Sequence, residues 1–143
     1  MNCLLVPIDG SENSLRVAQR LVEKGSLYGV PGQAEIHLLN VQHAFSGNVS
    51  TFISQEQIRK AHQEEGIKDL AAARALLDRA GIKYSTHIGV GDPAEVIAQY
   101  AKEKNCAQIL MGTRGLGRVA GLLLGSVAQK VIQLTDIPVL LVK

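Results

Sequence analysis

Short runs of branched apolar residues alternate with segments of helical period along the whole chain, and no other feature restricts the fold as much. The runs are Cys3 to Ile8, residues 34 to 41 (AEIHLLNV), 82 to 89, Ala107 to Met111 and Pro138 to Val142. The first is apolar without interruption, as a strand covered on both faces is, and the fourth also reads as buried; a strand wetted on one face would alternate. Each is followed or preceded by turn residues and a stretch in which apolar positions recur at three and four. The order is βαβαβαβαβ, the pattern of an α/β fold with an open parallel five-stranded sheet, helices on both faces and right-handed crossovers, in a Rossmann-like arrangement. A 143-residue chain that is 46 % hydrophobic can fill one core, so residues 1 to 143 are read as one domain. A strand order of 3-2-1-4-5 makes strands one and four neighbours at the point where the order reverses, which is where doubly wound sheets bind ligands.

The helix signals are local and chemical. Ser11 is placed to N-cap the first helix, whose buried face would carry Leu15, Ala18, Leu21, Val22 and Gly25 and whose end falls around Ser26 to Gly29, before a turn at Gly29-Val-Pro-Gly32. From Gln42 to about Ile53 there is no periodicity, which predicts a long loop. Ser54 with Gln57 forms a capping box for a helix to about Ala80, with Ile67, Leu70, Ala73, Leu77 and Ala80 facing the core, Gly66 a weak point and Gly81 the stop. Asp92-Pro93-Ala94-Glu95 gives an N-cap, an N1 proline and an N3 glutamate to a helix reaching about Lys104, and a last helix spans Ser126 to about Thr135.

Between the fourth strand and the last helix lies Gly112-Thr-Arg-Gly115, then nine residues, then Gly125-Ser126. Glycines here admit φ > 0 and let a ligand approach main-chain N–H groups, and a helix starting near Ser126 aims free N–H groups and a positive dipole end at the same point. That is the chemistry of a phosphate cradle. From Asn105 through Thr135 there is no Asp or Glu, while Arg114, Arg118 and Lys130 are present, so the local field favours an anion. No Gly-Lys-Ser/Thr occurs, which argues against a standard P-loop ATPase. Gly115-Leu-Gly117-Arg-Val-Ala120 fits G-x-G-x-x-A, but it follows the fourth strand and has no acidic strand tip after it. Topology brings Asp9, Val41 and the loop from Gly112 to one crevice.

The remaining composition narrows partners. A net charge of +2 is no polyanion footprint, so nucleic acid is not expected. No run of 18 apolar residues suggests a membrane span, and the apolar strand begins within two residues of Met1; a cytoplasmic protein is expected. Cys3 and Cys106 match no zinc spacing and read as buried free thiols in a reducing compartment. His37, His43, His62 and His87 show no metal-ligand spacing on one element; His43 draws notice because it follows the second strand's end.

Three pieces together, the opening LLVPIDGSENS, the strand and loop ILMGTRG, and G-x2-G-x9-G-S followed by VAQKVIQLTDIPVLLVK, resemble the universal stress protein family in its nucleotide-binding branch, across essentially the whole chain. The resemblance implies an adenine nucleotide alpha hydrolase-like fold and bound ATP, with Mg²⁺ as the usual phosphate counter-ion. It implies that Asp9 holds the ribose, that backbone at Ile8, beside Pro7, and at Val41 meets the adenine edge, and that Gly112 sits against the ribose. Gly115, Gly125 and Ser126 would take the phosphates, Val127 would add a helix N-terminal N–H, and Met111 and Arg114 would line the pocket. It also implies a homodimer through the last strand, Val139 to Val142, whose apolar edge another subunit could cover.

Three functions compete. The first is a nucleotide-binding regulatory or sensor module in stress response, with occupancy biasing the Gln42 to Ile53 loop or the dimer surface. The second is a slow ATPase or autophosphorylating enzyme, for which Ser126 supplies a hydroxyl but no base other than Asp9 is found, so no residue is assigned a catalytic role. The third is a dimeric interaction protein whose glycines are purely structural and whose Asp9-Gly10 is only a turn.

Overall fold

The computed structural model describes residues 2–24, 34–50, 52–114 and 124–143. In chain order the elements are β1 (Asn2–Pro7), α1 (Glu12–Lys24), β2 (Ala34–Gln42), α2 (Gly47–Ser50), α3 (Gln55–Arg79), β3 (Tyr84–Val90), α4 (Pro93–Glu103), β4 (Cys106–Gly112), α5 (Ser126–Leu134) and β5 (Val139–Val142). The five strands form one sheet in the order β3-β2-β1-β4-β5, with every neighbouring pair parallel. The chain builds outward from β1 to β3, returns to lay β4 on the other side of β1, and so reverses direction between those two strands.

The alternation of side chains along each strand divides the core in two. Leu4, Val6 and Ile8 pack with Ile36 and Leu38 under α1 and α3, which contribute Val17, Ala18, Leu21, Leu70, Ala73 and Leu77. Cys3, Leu5, Leu39, Ile109 and Met111 face the opposite layer, where α4 and α5 contribute Ala94, Ile97, Ala101, Ala128 and Val131. Leu5, Leu38, Ile109 and Leu110 have no exposed surface at all. The central strands are therefore apolar on both faces because both faces are covered.

The local signals are realised where the chain chemistry is unambiguous. Ser54 Oγ accepts the Gln57 N–H while Gln57 Oε1 accepts the Ser54 N–H, closing the capping box. Asp92 Oδ2 accepts the Glu95 N–H over the N1 proline of α4. Ser11 Oγ accepts the Ser14 N–H at the start of α1. Gly81, at φ +70, ends α3 in the left-handed region that glycine enters cheaply.

Several expectations are corrected. Val22 is 37 % exposed and Ile67 51 %, and Ala80 is the exposed C-cap of α3. The buried stripe of α3 is His62, Gly66, Leu70, Ala73 and Leu77, so the helix is rotated from the expected face. Gly66 is no weak point: a Cβ there would lie 2.6 Å from Ile88 Cδ1, so the glycine lets α3 approach β3. The segment after β2 holds the short helix α2 rather than loop alone. The end of the first helix around Ser26 to Gly29, the turn to Gly32 and the Gly115 to Ala120 stretch lie outside the described residues.

The two cysteines depart most from expectation. Cys3 and Cys106 are joined in a disulfide, not held as free thiols. They are 103 positions apart, but the β1–β4 register sets one directly opposite the other, on the face covered by α4 and α5. Only the pairing of strands brings them together.

Candidate functional site

A crevice of about 480 Å³ opens beyond the carboxyl ends of β1, β2 and β4, at the reversal of strand order. Pro7, Ile8 and Asp9 enter it from the end of β1 and Val41 from the end of β2. Met111, Gly112 and Arg114 enter from the end of β4, and Gly125, Ser126 and Val127 from the start of α5. Ten of the eleven residues singled out in the sequence thus border one space, and the eleventh, Gly115, lies outside the described residues. The volume is that of a small-molecule or cofactor cleft.

One end of the crevice suits an anion. Gly125 is the N-cap of α5 and makes no side-chain capping bond, unlike the caps of α1, α3 and α4, so the cap residue supplies no acceptor to the first-turn N–H groups of α5. The Gly125 N–H itself is engaged, donating to the Thr113 carbonyl. Thr113 N–H donates to the Val142 carbonyl at 3.0 Å, and Arg114 N–H to Asn13 Oδ1 at 2.9 Å. Three bonds therefore fix the chain leaving β4 against β5, α1 and α5.

The role of the glycines differs from expectation. Gly125 has φ −71 and Gly112 is not among the positive-φ residues; a Cβ on Gly112 would run into the Asn13 carboxamide, so what is required there is space. A left-handed residue follows Asp9 instead: Gly10, at φ +84, where a Cβ would also sit 2.9 Å from Asp69 Oδ1. The expected cationic field is also thinner. Lys130 Nζ lies 3.0 Å from Asp92 Oδ2 and 3.6 Å from Glu95 Oε1, and Arg118 lies outside the described residues. The Lys130 ammonium, then the Glu95 N–H, hold the Asp92 carboxyl below its ordinary range. With Asp9, Asp69 and Asp92 all on the wall beside Arg114, affinity for an anion would rest mainly on backbone N–H groups and the α5 dipole.

The other end lies at the tip of β2. Leu39, Ile97, Pro93, Met111 and Ala128 give it an apolar lining. The Ile8 backbone is engaged within the fold: its N–H donates to the Leu39 carbonyl at 2.8 Å and its carbonyl accepts Asn40 Nδ2 at 2.9 Å. Successive residues of a strand turn their backbone groups to opposite neighbours. Leu39, and hence Val41, faces β1, whereas Gln42 faces β3 and accepts the Gly91 N–H. The β1–β2 register ends at Pro7↔Leu39, so Val41 presents its N–H and C=O past the end of β1, into the crevice. Asp9 Oδ1 accepts the Ser11 N–H at 2.9 Å, a turn bond that fixes the carboxylate at the rim.

Sequence reading missed Asn13, Asn40, Gln42 and Asp69. Asn40 is fully buried, and its Nδ2 donates to both the Ile8 carbonyl and Asp69 Oδ2, while Gln42 Nε2 donates to Asn40 Oδ1 at 2.6 Å and Asp69 Oδ2 at 3.1 Å. The available signal was Asp69, a carboxylate inside the buried stripe of α3 between Gly66 and Ala73. His43 lines the crevice, and its carbonyl accepts from His62 Nε2 at 3.0 Å. Among the described residues no group of three His, Cys, Asp or Glu side chains could hold a metal.

The sequence model described as the universal stress protein family matches residues 1–143. The universal stress protein YxiE of Bacillus subtilis is 32 % identical over 150 residues, covering 99 % of each chain. The solved structure of MJ0577, a universal stress protein of Methanocaldococcus jannaschii, superposes with a TM-score of 0.81 at 27 % identity, covering 99 % of this chain and 95 % of that one. A universal stress protein family structure from Arabidopsis thaliana with AMP bound superposes at 0.70 with 22 % identity, covering 100 % and 92 %.

Proposed function

The chain belongs to the universal stress protein family, and from that premise we propose that it is an adenine-nucleotide-binding module whose ligand is ATP and whose role is regulatory. The observation that carries this is the convergence, in one crevice, of an uncapped helix N-terminus, a carboxylate at the end of β1 and the outward backbone of Val41. Ser126 and Val127 would take the phosphates, Asp9 the ribose hydroxyls, and Val41 the base edge over the apolar lining. The AMP held by the Arabidopsis relative supports a ligand of this class. Mg²⁺, if it accompanies ATP, would be held by phosphate oxygens and water.

On this reading occupancy biases the segment after β2, and two copies associate through β5, an edge strand with partly exposed apolar residues Val139, Leu140 and Leu141, in the cytoplasm. Among the described residues no helix is long and apolar enough to cross a membrane. The decisive experiment is a calorimetric titration of nucleotide-stripped protein with ATP and Mg²⁺. Saturable binding near one site per chain supports the reading, whereas no heat and no displacement by AMP or ADP refutes it. A monomeric mass by light scattering at micromolar protein would end the dimer, and identical proteolysis of residues 42 to 53 with and without ATP would end the switch.

A further inference from the structure

The polar network beside Val41 has only one consistent assignment of its amides, and that assignment determines what the crevice can recognise. The Ile8 carbonyl and the Asp69 carboxylate can only accept hydrogen bonds, so the Asn40 atom that meets both must be its nitrogen. Asn40 Oδ1 then faces Gln42, and with Asp69 Oδ2 it forces the Gln42 nitrogen toward the pair of them. Both protons of the Gln42 amide are engaged inside the network. Its Oε1 remains as the polar atom that Gln42 can offer, and Gln42 stands on the crevice wall at the β2 tip, next in sequence to the residue whose backbone opens there.

We infer that Gln42 is a base-selecting residue: its Oε1, locked by Asp69 and Asn40 as an acceptor, receives the exocyclic amino group of a 6-aminopurine and rejects a purine carrying a carbonyl at that position. This rests on the nucleotide reading above and adds to it the source of base specificity. An oxygen set against a purine carbonyl finds two acceptors and no proton between them, whereas an amino group supplies the donor. Asn40 is the positioning residue, and Asp69 adds a second acceptor. With a carboxamide in place of Asp69, Asn40 Oδ1, itself fixed by the Ile8 carbonyl, still meets the Gln42 nitrogen at 2.6 Å, so the orientation of Gln42 and the discrimination persist.

The test compares ATP with inosine triphosphate, which exchange only the amino group for a carbonyl and its ring proton, by calorimetry on the full chain and on Gln42→Leu and Asp69→Asn. The wild type is expected to prefer ATP by about tenfold, the worth of one hydrogen bond together with the repulsion avoided. In Gln42→Leu the ratio falls toward one mainly through weaker ATP binding, whereas Asp69→Asn keeps the preference, because Asn40 still orients Gln42. Should Asp69→Asn fail to fold by thermal melting, Gln42→Leu decides. A wild type that binds both nucleotides within twofold of each other, or a Gln42→Leu variant that keeps the full preference, overturns the inference and leaves the nucleotide site standing. A protein that binds neither overturns both readings.

Discussion

Replacing Gly112 with alanine tests the packing that fixes the glycine loop to the sheet. The added Cβ would meet the Asn13 carboxamide, with Asn13 Cγ at 3.0 Å and the Arg114 carbonyl at 3.2 Å. Asn13 cannot turn aside at no cost, because it is buried and its Oδ1 accepts the Arg114 N–H. Either the bond breaks, leaving a partly buried N–H without an acceptor, or the backbone of β4 and α1 shifts; each costs about 1–3 kcal/mol. Against this, alanine in a strand gains about 0.5–1 kcal/mol over glycine. A net loss of about 1–2 kcal/mol is expected, which lowers the urea midpoint by roughly 0.5–1 M for a slope of about 2 kcal/mol/M. Asn13→Ala alone should cost a comparable amount through the lost acceptor. The double variant should cost little more than Asn13→Ala, because the carboxamide the new methyl would strike is gone. The double-mutant cycle should therefore show a coupling of about 1 kcal/mol or more, and costs that add to within about 0.5 kcal/mol would refute the contact as the reason for glycine at this position.

Gly66→Ala should destabilise the protein despite the helix propensity gain of about 1 kcal/mol, since the new methyl meets Ile88 at 2.6, 2.8 and 3.0 Å on both of its branches. In an Ile88→Ala background the same substitution should change sign and stabilise, as denaturant midpoints would show. The Tyr100 phenol is pushed up to about 12 by burial and pairs with His37 Nδ1 at 3.0 Å. A tyrosine with its folded value above its unfolded one favours folding below about pH 10, and that contribution is lost as pH rises toward 12. The difference between wild-type and Tyr100→Phe tyrosinate absorbance should rise near 12, and a rise near 10 would refute the burial argument. Protein denatured without reductant should give no reaction with a thiol reagent, because Cys3 and Cys106 are joined; two reactive thiols per chain would refute the disulfide.

Helix caps were legible because a Ser54–Gln57 pair or an Asp92–Pro93 start acts over three or four positions, whatever the rest of the molecule does. Strand number, parallel pairing and the order 3-2-1-4-5 were legible because uninterrupted apolar runs must be covered on both faces. The ring of residues at the crevice followed, since strand ends and the α5 start have fixed places once the order is known. Helix rotation was not legible: Ile67 and Gly66 are neighbours in sequence, and only close approach to Ile88 selects the glycine as the buried one.

By itself the sequence determined the strands and long helices, their caps, the topology and the end of the sheet where the crevice opens, because those follow from periodicity and short-range chemistry. Tertiary structure alone decided which distant groups meet: Cys3 with Cys106 across 103 positions, Asn13 beneath Gly112, Lys130 engaged by Asp92, and Asp69 of α3 bonded to Gln42 of β2. These pairings depend on strand register and on the rotation of each helix against the sheet. Both are set by the packing of many side chains at once, and no single segment of the chain encodes them.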